Sequence, residues 1–273
     1  MKSMIVGLIL TVTSAAAADW KKEVVFRATF DGGTDAKVAG GDPHLYHARS
    51  YNDLSDAKPG LEGTSITLAK GQGRKGDALK FTKPNELAVF YKAQGNVPFS
   101  AKDWSGTLSL WLQLDVEMDL PPNYCDPIQL TDKAYNDCAI WVDFTKDDKP
   151  RHFRLGTFGS LKAWNPSNSN PDANPLFNNR LVVVKQPPFG RGRWTHVAVT
   201  YNKLGSGDGE VKLYVDGALQ GASSHIAESF DWDLSKAGIR LAFNYVGLMD
   251  DIAVFRRPLT AKEIAAIGKA TSW

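Results

Sequence analysis

The sequence lacks an excess of charge of either sign, because 32 Lys and Arg residues face 30 Asp and Glu residues for a formal net charge of +2. The basic residues are scattered along the chain, which argues against a nucleic-acid partner. An apolar content of 43% argues against intrinsic disorder. Catalytic signatures are also missing: there is no Gly-x-Ser-x-Gly elbow, no His-Glu-x-x-His pair and no phosphate-cradling loop.

Long hydrophobic runs are confined to the N-terminus. Lys2 precedes the apolar run Met4 to Val12, and small residues follow at 15–18. This pattern predicts a secretory signal peptide over residues 1–18, with export to the periplasm, the cell envelope or the exterior. The run is too short to span a bilayer, and no later segment could span one. Residues 19–273 have the size of one domain.

Cysteine is scarce, with only Cys125 and Cys138 in a polar insertion. Two thiols are too few for a metal site, and export would place them in an oxidising compartment. We therefore expect a disulfide between them. Two free thiols remain the alternative.

The sequence contains many short segments in which apolar and polar residues alternate. They are bounded by Gly, Pro, Asn or Asp, and this pattern predicts strands. Trp194-Thr-His-Val-Ala-Val-Thr-Tyr201 and Val211–Val215 alternate across a glycine-rich turn, which predicts an antiparallel hairpin. Asp216-Gly217 predicts a second tight turn. Thr260-Ala-Lys-Glu263 fits the capping box of a C-terminal helix, which we expect to cover the edge of a sandwich. Further strands are predicted over 24–30, 65–68, 78–81, 87–91 and 107–114.

Three motifs occur in order along the C-terminal part of the chain: the Trp194 strand, Leu213-Tyr-Val-Asp-Gly217 and Gly247-Leu-Met-Asp-Asp251. Together they resemble the laminin-G-like, concanavalin A-like lectin/glucanase superfamily. The resemblance implies an all-β fold, a two-sheet antiparallel jelly-roll sandwich with one short C-terminal helix. That family includes sugar-binding modules, adhesion domains, glycosidases and lyases, so function must be argued from a site.

The resemblance also implies a structural Ca²⁺ bound by Asp250 with oxygens near Asp31 and Gly76. Strand parity places Asp250 with Ile252 on the apolar side of its strand and Asp251 on the solvated side. Calcium accepts such hard oxygen ligands. The alternative, in which Asp250 pairs with an arginine or caps a turn, stays open.

The sequence assigns no catalytic residue. The Glu-x-Asp-x-Glu triad of glycosidases with this fold is absent, and Glu117-Met-Asp119 is only a fragment of it. His196 lies in the Trp194 strand, where a hydrogen-bonded structural role is expected. One loop carries the proton-transfer and charge-neutralising groups that polysaccharide lyases use. These residues are His44, Tyr46, His47, Arg49 and Tyr51. The alternative is a surface loop whose rings pack on the sheet.

Two long polar segments, 35–63 and 161–185, combine aromatic rings with planar polar side chains, as sugar-binding loops do. Trp141 is interpreted as core or as the floor of a groove. The candidate ligand residues are Trp164, Asn168, Asn170 and Arg180 on one wall and Tyr46, Arg49 and Tyr51 on the other. We therefore expect a carbohydrate-recognition or cell-surface interaction module with a polysaccharide or glycan partner. A polysaccharide-degrading enzyme and a protein-binding adhesion or envelope-assembly domain remain alternatives.

Overall fold

The computed structural model describes residues 20–271, so the expected signal peptide over 1–18 lies outside the described residues. The strands, in chain order, are β1 Val24–Ala28, β2 Val38–Ala39, β3 Leu45–Ala48, β4 Lys58–Pro59, β5 Ile66–Ala69, β6 Ala78–Phe81, β7 Ala88–Lys92, β8 Trp104–Gln113, β9 Cys125–Thr131, β10 Ala139–Phe144, β11 Phe153–Phe158, β12 Val182–Val184, β13 Thr195–Leu204, β14 Glu210–Val215, β15 Ala218–Ser224, β16 Gly238–Phe243 and β17 Gly247–Phe255. The helices are α1 Leu161–Trp164, α2 Pro175–Asn178 and α3 Ala261–Lys269, with 3₁₀ turns at Trp20–Glu23 and Pro171–Ala173.

The strands form two antiparallel sheets packed face to face, which confirms the expected sandwich. The first sheet has the order β15-β14-β13-β8-β17-β1-β2, with β6 also paired to β17 and β5 to β6. The second has the order β12-β11-β10-β9-β16-β7-β3-β4. Side chains on the two inner faces form one core, to which Leu110, Val199 and Val254 contribute from the first sheet and Ile140 and Leu241 from the second.

The elements with the clearest local signals are confirmed. β13 and β14 form the expected antiparallel hairpin, in which Val197 pairs with Val215. Asp216 and Gly217 both have positive φ, +49° and +79°, as the tight turn before β15 requires. The predicted strands correspond to β1, β5, β6, β7 and β8 with small differences at their ends.

The C-terminal helix begins with the expected capping box, in which Thr260 and Glu263 satisfy each other's backbone N–H groups. Its location extends beyond the expected edge of the sandwich. Ile264 and Ile267 pack on Ala198 and Phe255, which face outward from the middle of the first sheet. The helix therefore covers the outer face of that sheet, which presents apolar side chains that need cover, and also contacts the edge strand β15.

The expected disulfide is wrong: Cys125 and Cys138 are free and buried. The antiparallel register of β9 and β10 places Cys125 opposite Phe144, whereas Cys138 directly precedes the other end of β10. At about 3.3 Å per residue, the six-residue offset from position 138 to position 144 separates the two cysteines by roughly 20 Å. A disulfide needs Cα atoms within about 7 Å.

The segment 35–63, expected to be a loop, contains β2, β3 and β4. The segment 161–185 contains α1, α2 and β12 and is an ordered cover over one end of the second sheet. Within residues 20–271, no helix has the length and apolar character needed to cross a membrane.

Candidate functional site

The outer face of the second sheet carries a group of polar side chains that the sandwich core does not use. Along β10, Ile140 and Val142 point into the core, so Trp141 and Asp143 point outward. An irregularity in the pairing of β9 with β10 lets Asp126 and Gln129, three residues apart, reach the same face.

Strand register aligns these residues into two adjacent rows. In the first row, Gln129 lies opposite both Arg240 of β16 and Trp141 of β10, and Trp141 lies opposite Gly156 of β11. In the second row, Asp143 lies opposite Arg154, and Asp126 lies opposite Phe243. Residues far apart in the chain therefore converge on one patch of the sheet.

Trp141 forms part of the floor of this patch. A Cβ at Gly156 would lie 2.2 Å from Cζ2 of Trp141, so the indole ring lies across the neighbouring strand where a side chain is missing. Its indole N–H donates to the carbonyl oxygen of Tyr135 at 2.6 Å. Phe158 and Phe177 flank the ring, with centroid distances of 6.1 and 6.5 Å.

The charged groups of the floor are buried and mostly paired. The guanidinium of Arg154 donates two hydrogen bonds to Asp143, one of them 2.9 Å long, and lies 5.0 Å from the ring centroid of Tyr124. Gln129 donates to the carboxyl group of Asp126 at 2.6 Å. Burial and then the nearby charge of Asp143 raise the pKa of Asp126 well above its ordinary value.

Above this floor is a cavity of about 360 Å³ with an aromatic rim. Tyr135 and Phe243 are 43% and 38% exposed, so part of each ring is open to solvent. Tyr51 stands edge-on to Phe243 with a centroid distance of 5.1 Å. The cavity is lined by Tyr51, Asn52, Tyr124, Asp126, Gln129, Lys133, Ala134, Tyr135, Trp141, Asp143, Arg154, Phe177, Arg240 and Phe243.

One of the seven ligand residues expected from the sequence, Tyr51, lines this cavity. Trp164 is 2% exposed, packs on Phe158 and donates its indole N–H to the carbonyl oxygen of Asn136 at 2.9 Å, so it supports the aromatic wall from behind. Arg180 donates two hydrogen bonds to Glu228.

The remaining expected ligand residues lie away from the cavity lining. Asn168 and Asn170 are exposed on the segment between α1 and α2. Tyr46 stacks on Phe90 and donates its hydroxyl to Asp42 at 2.7 Å. Arg49 is exposed and pairs with Asp56.

The candidate lyase cluster is divided by β3. Tyr46 lies opposite the outward-facing Phe90, whereas His47 lies opposite the core residue Val89, so the two side chains leave opposite faces of the strand. Nδ1 of His47 lies 2.9 Å from the carbonyl oxygen of Gly60, and Nδ1 of His44 lies 3.0 Å from Asp35. These groups do not converge on one substrate position.

His196 has the structural role expected from the sequence. Its Nε2 lies 2.9 Å from the hydroxyl of Ser109, and its ring lies 4.9 Å from that of Trp111. Burial lowers the pKa of His196 to about 4, so the ring is neutral at pH 7.

Asp31, Gly76 and Asp250, the expected calcium ligands, are gathered around the turn at 73–76. A Cβ at Gly76 would lie 1.9 Å from Oδ1 of Asp31, and one at Gly73 would lie 2.9 Å from Oδ2 of Asp250. Oδ2 of Asp250 accepts a hydrogen bond from the backbone N–H of Arg74 at 2.8 Å, as the turn-capping alternative requires. No group of three His, Cys, Asp or Glu side chains suited to a metal occurs in residues 20–271.

The expected orientation of Asp250 is wrong. An irregularity in β17 at this residue and the next, with φ of +46° at Asp251, shifts the register, so that Asp250 lies opposite Trp111 on the outer face. Asp251 pairs with Arg27 at 2.9 Å and Arg74 at 3.4 Å. Arg27 lies between the core residues Phe26 and Ala28 and faces outward, so Asp251 is on the expected side of its strand but is buried and not solvated. Burial and then the charge of Asp251 raise the pKa of Asp250 to about 7.

Comparison with known proteins supports the architecture. The family model described as the concanavalin A-like lectin/glucanases superfamily matches residues 91–265. No curated protein matches the chain.

Among solved structures, domain 4 of AbnA, a GH43 extracellular arabinanase from Geobacillus stearothermophilus in complex with arabinotriose, aligns with a TM-score of 0.55 at 16% identity over 90% of this chain and 98% of that one. The botulinum neurotoxin serotype D ligand-binding domain, in complex with N-acetylneuraminic acid, aligns with a TM-score of 0.54 at 11% identity over 93% of this chain. The binding domain of Paraclostridial Mosquitocidal Protein 1 aligns with a TM-score of 0.51 at 15% identity over 91%. This chain spans 52% of each of the latter two, and identities this low show a shared fold alone.

Proposed function

The chain belongs to the concanavalin A-like lectin/glucanase superfamily, and on that premise we propose that it binds a carbohydrate in the cavity on the outer face of its second sheet. The observation that carries this proposal is the combination of exposed aromatic rings with planar polar groups around one cavity. Aromatic faces pack on the apolar C–H surfaces of sugars, while amide, carboxyl and guanidinium groups bond their hydroxyls. The volume of about 360 Å³ lies within the usual range for small-ligand sites.

Neighbours of the fold lend this proposal general support, because two were solved with a saccharide bound, arabinotriose in one and N-acetylneuraminic acid in the other. The signal peptide expected over residues 1–18 also belongs to the proposal, since export would bring the protein to extracellular or envelope glycans.

A polysaccharide-cleaving activity is the second candidate, and the raised pKa of Asp126 favours it, because a protonated carboxyl group is a general acid. Hydrolysis by a carboxyl pair also needs a second carboxylate, free to act as base or nucleophile. The second aspartate of the cavity lining, Asp143, is held by two hydrogen bonds from Arg154. The geometry therefore favours binding over cleavage.

Replacing the exposed rim rings, Tyr135→Ala and Phe243→Ala, is expected to weaken saccharide binding by roughly 5- to 30-fold, the range of about 1–2 kcal/mol typical of interface anchors. The melting temperature should change little, because both rings are already partly exposed. The measurement is retardation in native gels that contain single neutral or acidic polysaccharides, with product release assayed in parallel.

The matched control for the rim variants is Leu219→Ala, which removes a 52% exposed side chain from β15 of the first sheet and should leave retardation unchanged. Equal retardation of wild type and rim variants would place binding elsewhere. Release of shorter saccharides by the wild type would move the proposal from recognition to catalysis. Loss of binding to every polysaccharide, with retention of a protein partner, would favour the adhesion alternative.

We also propose that Asp31 and Asp250, with the turn at 73–76, hold a structural calcium ion. The carboxylates of Asp31 and Asp250 lie against one turn. Gly76 and Gly73 in this turn have no room for a Cβ atom, because it would clash with these carboxylates. The carbonyl oxygens of the same turn are the hard ligands that calcium accepts beside carboxylates.

Removing calcium with a chelator is expected to lower the melting temperature by roughly 5–10 °C. This follows from about 2.7 kcal/mol of linkage at a hundredfold excess over the dissociation constant. Asp250→Asn should abolish the difference between chelator and added calcium, whereas Asp53→Asn, at an exposed turn, should keep it. An identical melting temperature of the wild type with and without chelator would contradict the proposed calcium site.

A further inference from the structure

Arg240 differs from the other cations of the cavity because no carboxylate in residues 20–271 pairs with it. Its side chain emerges from the middle of β16, and the residue is 4% exposed. Arg154 is neutralised by Asp143, and Lys133 lies 3.9 Å from both Asp132 and Asp231. A buried guanidinium without a counter-charge is costly to fold.

The hydrogen bonds of Arg240 fix the plane of its guanidinium without neutralising it. Nη1 donates to the carbonyl oxygens of Tyr51 at 2.7 Å and Lys133 at 3.0 Å. Nε is buried and has no acceptor. Burial lowers the pKa of Arg240 to about 10, so the group is still charged at neutral pH.

Cations also outnumber carboxyl groups among the residues that line the cavity. The cations are Lys133, Arg154 and Arg240, and the carboxyl groups are Asp126 and Asp143. Asp143 pairs with Arg154, and Asp132 and Asp231, outside the lining, lie 3.9 Å from Lys133, so within the described part of the chain Arg240 is the lining cation without an ion pair. A cavity with this balance selects an anion over a neutral ligand of the same shape.

Residues beside Arg240 can bind the hydroxyl groups and the apolar surface of a sugar ring. Gln129 lies opposite Arg240 in the register, and its amide oxygen can accept from a hydroxyl group while its amide nitrogen donates to Asp126. Tyr51, whose carbonyl anchors the guanidinium, stands edge-on to the exposed ring of Phe243.

We propose that the saccharide bound in this cavity carries a carboxylate, as in a hexuronate or a sialic acid, and that this carboxylate pairs with the guanidinium of Arg240. The inference rests on the proposed function and adds the substrate class to it. Polar groups of the floor then bond the ring hydroxyls, and the rim rings cover the apolar edge.

The test compares ligands that differ in one charge. Binding of wild type is measured by calorimetry with the methyl glycosides of galacturonic acid and of N-acetylneuraminic acid, each compared with its own methyl ester. The free acid of at least one pair is expected to bind roughly tenfold or more tightly than its neutral counterpart, the effect of a charge-assisted bond. The two pairs separate a uronate from a sialate as the source of the carboxylate.

Protein variants assign that preference to Arg240. Arg240→Gln should reduce the acid-to-neutral ratio to within about twofold, and Arg240→Lys should retain part of it because the charge stays. Arg256→Gln, at an exposed pair with Glu23 on the first sheet, is the matched control and should keep the full ratio. Should Arg240→Gln fail to fold, the lysine variant and the ligand pairs on wild type still decide the matter.

The outcomes separate this inference from the proposed function. Equal affinity for acid and neutral ligands, or an unchanged ratio in Arg240→Gln, would overturn the carboxylate pairing while leaving carbohydrate binding in place. Binding of no saccharide in either pair or in the polysaccharide gels would overturn both.

Discussion

Replacing Arg154 with Met is expected to lower the free energy of unfolding by about 3–5 kcal/mol, the usual cost of leaving a buried charge without its partner. Asp143 is 3% exposed and receives two hydrogen bonds from the guanidinium of Arg154. Without them its carboxylate must ionise unpaired or take up a proton. Saccharide retention should also fall, because Arg154 orders Tyr124 and the floor beside Trp141. The measurements are urea unfolding at pH 7 and retardation in polysaccharide gels.

The matched control for this experiment is the double variant Arg154→Met with Asp143→Leu. Replacing a whole buried ion pair by apolar groups of similar size is often neutral, so this variant should recover most of the lost stability. Saccharide retention should not recover with it, since the polar floor stays altered. If the single variant unfolds at the wild-type urea concentration, the pair is not buried as described.

Replacing Gly156 with Ala is expected to lower the free energy of unfolding by about 1–3 kcal/mol, the range typical of overpacking in a core. The new methyl group would lie 2.2 Å from Cζ2 of Trp141, whose ring is confined by Phe158 and Phe177. Because the ring must move, saccharide binding should weaken as well. Urea unfolding and gel retardation measure the two effects separately.

Two controls accompany the Gly156 variant. Gly190→Ala adds a methyl group where no atom lies within 4 Å, so unfolding should be unchanged. Adding Trp141→Phe to Gly156→Ala makes room for the methyl group and should restore part of the stability. Full binding by Gly156→Ala would show that the position of Trp141 does not shape the site.

Local signals in the sequence were sufficient for several elements of the first sheet. The β13–β14 hairpin, the Asp216-Gly217 turn and the Thr260–Glu263 capping box each depend on residues adjacent in the chain, and each is confirmed. Bulges were not predictable from alternation, which is why Asp250 was assigned to the wrong face. The position of α3 over a sheet face depends equally on non-local packing.

The cavity depends on register between distant strands, which one sequence does not provide. Alternation in β10 places Trp141 and Asp143 on one face, but nothing local indicates that Asp126 of β9 and Arg240 of β16 join them. Composition also misled the assignment of Trp164, because a polar segment does not reveal which of its aromatic rings turns inward. That ring completes an aromatic cluster beneath the loop.

The most direct test of carbohydrate binding on the second sheet is a map of backbone amide chemical shifts during titration with an oligosaccharide of the polymer that retards the protein. The account predicts that the perturbed amides cluster on β9, β10, β11 and β16, together with the indole N–H of Trp141. Perturbations confined to the first sheet, around Trp111 and His196, would contradict it.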